Sequence, residues 1–115
     1  MANQDELHLD QARLEEAWRR TLPTVMNASD KAEVQPDEAD EKALRVHFET
    51  EGRQRYSFDF RVKYVDSREI HVDLVDVERD GQTIDESSDV VQGLIRDYTR
   101  HLHECAQQLH DFTHA

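Results

Sequence analysis

The chain has 115 residues with 26 acidic and 14 basic side chains, a formal net charge of −12. That is one domain's worth of sequence, and its acidity disfavours nucleic acid and anionic membrane surfaces as partners. Hydrophobic residues are 37% and charged residues 35% of the total, so the core is thin and the surface large. No apolar run approaches the roughly 18 residues of a membrane span, and "MANQDELHLD" lacks the basic start and apolar stretch of a signal peptide. A single cysteine excludes an internal disulfide and fits a reducing cytoplasm. Eleven arginines against three lysines fit a high-salt cytoplasm, where self-repulsion is screened, or a nucleotide bias.

Residues 5–22 read as a helix. Asp5 and Glu6 suit a first turn, Leu7, Leu14, Trp18 and Leu22 share a side with Ala17 nearby, and Pro23 marks the end. Residues 27–42, "NASDKAEVQPDEADEK", are acid-rich with almost nothing to bury, and are expected to form a loose, exposed linker.

From residue 43 to 84 the periodicity becomes two. Leu44, Val46 and Phe48 share a face, as do Tyr56, Phe58, Phe60, Val62 and Tyr64, and then Ile70, Val72 and Leu74. This predicts a three-stranded antiparallel meander with one dry face. Pairing Phe48 with Tyr56 sets Arg45 opposite Asp59 and Glu49 opposite Arg55, whereas the neighbouring register sets Arg45 against Arg61. The first register is therefore expected. Pairing Val62 with Val72 likewise sets Arg61 opposite Asp73 and Lys63 opposite His71. The apolar parity changes between Leu74 and Val77, which predicts a bulge near Asp76. Asp80-Gly81 is a two-residue turn signal that returns Ile84 opposite Val77 as a short fourth strand.

Residues 85–113 read as a long helix packed on one sheet face. Thr83 and Glu86 could form a capping box, with Ser87 or Ser88 as later starts. Val91, Ile95, Tyr98, Leu102, Cys105, Leu109 and Phe112 recur at spacings of four and three, a heptad seam. At about 1.5 Å per residue this helix would run roughly 43 Å, longer than the strands, so its C-terminal end should overhang the sheet. The expected fold is α+β: an N-terminal helix, an antiparallel sheet and a long C-terminal helix.

Four of the seven histidines and the only cysteine lie in the last fifteen residues. His110 and His114 are four apart, a spacing that lets two imidazoles share one zinc or nickel ion. His103 lies two turns away, and Asp111 is displaced around the helix. The bland alternative is a wet helix face whose histidines sit near the negative helix end. Cys105 and His101 are also four apart, but Cys105 lies on the seam, where a thiol packs as a small apolar group. Asp59, Asp73 and His71 fall on the wet sheet face, interleaved with Arg45, Arg61 and Lys63, as ion pairs rather than an acid–base site. No HExxH, GxSxG, CxxC or phosphate-cradling glycine loop occurs. The chain is expected to be non-enzymatic and to need no cofactor. It is read as a small cytoplasmic binding or adaptor protein that works through protein contacts of its long helix, including self-association, at Tyr98, Leu102, Leu109 and Phe112. The first helix could instead cover that seam within one chain. The alternatives are an acidic inhibitor or nucleic-acid mimic of a basic protein, and a regulator using metal at His110 and His114.

Overall fold

The computed structural model describes residues 10–26, 30–50, 56–67, 69–79, 82–84 and 88–113. The elements are α1 (Gln11–Val25), β1 (Lys31–Pro36), β2 (Ala43–Glu49), β3 (Tyr56–Tyr64), β4 (Ile70–Arg79), β5 (Gln82–Thr83), α2 (Asp89–Gln108) and α3 (His110–Thr113). The strands form one antiparallel sheet in chain order. The α+β architecture anticipated from periodicity is present, with five strands rather than three or four.

α1 begins where the Asp10 carboxylate accepts from the Arg13 N–H at 2.8 Å, satisfying one of the open donors of the first turn. The expected residues 5–9 lie outside the described residues. The helix passes through Pro23 and ends at Val25. In the last turn a proline removes only one intrahelical bond, and the Thr24 hydroxyl donates to the Thr21 carbonyl at 2.6 Å.

The acidic stretch is not a loose tether over its described part: Lys31–Pro36 is the edge strand β1. Ala32 and Val34 supply its dry side and pack on the core, while the polar residues alternate outward. Pro36 has no N–H to leave open, and the Arg19 guanidinium donates to the Val34 carbonyl at 3.1 Å. Both features blunt this edge against further pairing. The turn that follows is tied to α1 by one side chain. Gln11 Nε2 reaches the carbonyls of Asp37, Asp40 and Ala43 at 2.9, 3.0 and 2.9 Å.

The β3–β4 register is the expected one, with Val62 opposite Val72, Arg61 opposite Asp73 and Lys63 opposite His71. The β2–β3 register is not. Phe48 faces Phe58, and Arg45 faces Arg61. The like-charge pair is tolerated because β1 delivers Asp37 between the two guanidinium groups, a contribution that pairwise strand arithmetic omits. The bulge falls where the parity changed: Phe60 faces Leu74 and Asp59 faces Asp76, leaving Val75 as the extra residue of β4. Ile84 donates its N–H to the Val77 carbonyl at 3.1 Å, as expected of the fourth return. Asp80 and Gly81 lie outside the described residues.

α2 starts at the latest of the candidate caps, with Ser88 Oγ accepting from the Val91 N–H at 3.2 Å. Glu86 and Ser87 lie outside the described residues. The helix does not continue unbroken to residue 113. At Leu109 the backbone leaves helical geometry (φ −96°, ψ 5°), and the short α3 turns inward. There Thr113, 1% exposed, donates its hydroxyl to the Ser67 carbonyl at 2.8 Å. The predicted overhang is replaced by this clasp on the β3–β4 turn.

One core unites these elements. Leu14, Trp18 and Leu22 of α1 and Val91, Tyr98, Leu102 and Cys105 of α2 meet the dry-face apolar residues of the strands, even-numbered up to the bulge and Val77 beyond it. Tyr98 stacks on Phe48 with ring centroids 4.4 Å apart, and Trp18 Nε1 donates to the Tyr64 hydroxyl at 3.1 Å. The two long helices therefore cover one sheet face, and the seam of α2 is closed by α1 and the sheet along most of its length.

Candidate functional site

The residues singled out on the long helix divide into two groups. Tyr98 and Leu102 are 1% and 0% exposed, so they present nothing to a partner in this arrangement. Leu109 is half-buried against the core, and Phe112 is 39% exposed. His110 is half-buried, His103 is exposed, and His114 lies outside the described residues. No group of three or more metal-capable side chains is arranged to hold an ion among the described residues. Cys105 is fully buried, and that burial pushes its thiol up to about 12. A thiol in that state is not a nucleophile at neutral pH. His101 is turned edge-on to Tyr98, and its Nδ1 has no hydrogen-bond partner, the nearest carboxylate oxygen of Glu104 being 3.7 Å away.

What remains accessible is the other face of the sheet, which no described helix covers. It divides into two halves. Towards the β1–β2 turn, charges are matched. The Asp37 carboxylate, 3% exposed, accepts from Arg45 Nε at 2.8 Å and has Arg61 Nε at 3.6 Å from its second oxygen. Asp40 lies 3.4 Å from Arg61 Nη2 and 3.1 Å from Lys63 Nζ, and accepts from the Lys42 N–H at 2.9 Å. The hydrogen bond from Arg45, opposed by burial and aided by the charges of both arginines, holds the Asp37 pKa below its ordinary value. The Lys42 N–H and Lys63 do the same for Asp40. His71, also on this half, is 3.1 Å from Asp73.

The other half is not balanced. Strand pairing sets Glu33 beside His47, His47 beside Asp59, and Asp59 beside Asp76, with Glu49 next along β2 and Glu78 next along β4. Against these acids the described residues offer Lys31 and His47. His47 Nδ1 is 2.7 Å from Asp59 and Nε2 is 3.3 Å from Glu49. A neutral imidazole has a single N–H, so only the imidazolium can donate to both carboxylates. Partial burial lowers the His47 pKa, but the hydrogen bonds and charges of Asp59 and Glu49 outweigh it and leave the pKa raised. Glu33, Gln35, Arg45, His47 and Asp59 together line a shallow depression of about 240 Å³ across β1, β2 and β3.

The expected trio of Asp59, Asp73 and His71 is thus split. Asp59 belongs with His47, and Asp73 with His71 and Arg61. His47 was missed because its flanking acids come from three strands and its alignment depends on the β2–β3 register. Comparison of the chain with protein-family models, with curated proteins and with solved structures finds no match.

Proposed function

We propose that this protein is a non-enzymatic binding module that holds a basic protein partner against the open face of its sheet. The observation that supports this reading is the uncovered, charge-divided face: one half is internally neutralised, the other carries acids in excess, and a shallow depression lined by residues of both lies at their boundary. A net charge of −12 steers a cationic partner towards it. The ion-paired half supplies rigidity, since Asp37 of the β1–β2 turn ties Arg45 of β2 to Arg61 of β3. The free, buried cysteine suits a cytoplasmic setting.

The test is binding of fluorescent oligo-arginine and oligo-glutamate peptides, followed by anisotropy across a range of salt. The basic peptide should bind at low salt and weaken steeply as salt rises, while the acidic peptide should not bind. Changing Glu49→Gln, Asp59→Asn and Asp76→Asn together should abolish the interaction. Binding that ignores salt, or survives the triple change, would rule the reading out. A second reading places the contact at the helix end, because Phe112 is the one seam residue left exposed there.

A further inference from the structure

The two edges of the sheet are treated differently, and the difference has a consequence for assembly. At β1 the outward-facing groups are blocked by Pro36 and by Arg19. At β4 no proline or side-chain donor caps the outward groups among the described residues, and the bulge at Val75 confines the open run to the residues before it. The direction of each backbone group follows from the ladder. Asp37 donates to the Ala43 carbonyl and Tyr64 to the Lys42 carbonyl, so the even residues of β3 bond β2 and its odd residues bond β4. His71 and Asp73 therefore face β3, and Ile70, Val72 and Leu74 turn their N–H and C=O groups outward. β5 pairs with Glu78 and Arg79, which leaves the run from Ile70 to Leu74 without a strand partner on its outer side among the described residues. Its side chains are apolar on the dry side, with Val72 and Leu74 only half-buried, and Val75 at the bulge is 49% exposed.

We propose that β4 pairs with β4 of a second copy of the chain, antiparallel about a two-fold axis at Val72, joining two sheets into one. The occupant follows from the charges. With the axis at Val72, Ile70 faces Leu74 of the second copy, and His71 faces its Asp73, in both directions. The wet face then reads Arg61, Asp73, His71, Lys63 across the junction, with acids and bases that complement one another. Moving the axis by one residue sets His71 against His71 or Asp73 against Asp73. The segment is thus self-complementary in one register only, as an isologous two-fold contact requires. It lies apart from the acidic half of the open face, and it does not depend on the partner proposed above.

Sedimentation equilibrium of the whole protein from micromolar to millimolar concentration tests this. The expected mass at the upper end is twice the 13.5 kDa of the chain. Val72→Pro removes an outward N–H that has no partner among the described residues, and should return the mass to that of one chain while far-UV circular dichroism stays unchanged. His71→Asp is the second variant. It keeps a partner for Lys63 within the chain, yet meets Asp73 across the junction, and should weaken the dimer at least tenfold. A single-chain mass at every concentration overturns the proposal. So does a dimer indifferent to both changes, and if Leu109→Glu with Phe112→Glu then dissolves it, the contact belongs to the helix end instead.

Discussion

Arg45 and Arg61 are direct cross-strand partners, and the Asp37 carboxylate lies between them, 2.8 Å from one guanidinium and 3.6 Å from the other. The arrangement makes a residue of the β1–β2 turn the counter-charge of a like-charge pair on the two strands beyond it.

Asp37→Asn should therefore destabilise the fold by about 1–3 kcal/mol, because it leaves two adjacent cations around a buried amide. The native pKa of Asp37 is depressed, so its contribution is present above the ordinary carboxylate value near 4 and is lost as pH falls through the depressed value. Urea titrations at pH 7 and pH 3 should show a deficit for the variant at the first pH and a smaller one at the second.

His47 titrates with the opposite sign. Its folded pKa is raised, so the stability it lends is fully present below the ordinary histidine value of about 6.5 and disappears as pH rises through the folded value. Urea midpoints measured from pH 5.5 to 8.5 should decline over that window in the native chain. In His47→Gln the decline should flatten. An unchanged slope would assign the effect to another histidine.

The two N–H groups of the Gln11 side-chain amide are shared among three backbone carbonyls. Gln11→Ala should cost about 1–2 kcal/mol and speed amide exchange between residues 37 and 43. Gln11→Glu should cost more, since it turns a carboxylate towards carbonyl oxygens.

Cys105 should resist modification. With its thiol buried and pushed up to about 12, a disulfide reagent at pH 8 should label it at the rate of unfolding and no faster, with full labelling in denaturant.

The parts of the fold legible in the sequence are those where one local rule operates alone. The β3–β4 register, the bulge and the return of Ile84 follow from apolar parity and from opposite charges facing each other across two strands. The β2–β3 register eluded that logic because the deciding charge, Asp37, belongs to neither strand. β1 was hidden by its own position: an edge strand needs only Ala32 and Val34 on its dry side, and the acids around them read as a tether. The break at Leu109 carries no glycine or proline, and follows instead from the tertiary pull of Thr113 onto Ser67. At the candidate site, the wet-face acids were visible one by one, but their grouping around His47 depended on the misjudged register.

The extra residue in β4 has a consequence for the length of the chain. Every pair on its two sides obeys the same alternation once Val75 is left out of the count: Phe60 with Leu74, Asp59 with Asp76, Phe58 with Val77. Among the described residues of the sheet, Val75 is therefore the place where the polypeptide can lose a residue without turning any other side chain over. A chain of 114 residues lacking it would trade the local kink for a straight strand and keep the same inside and outside.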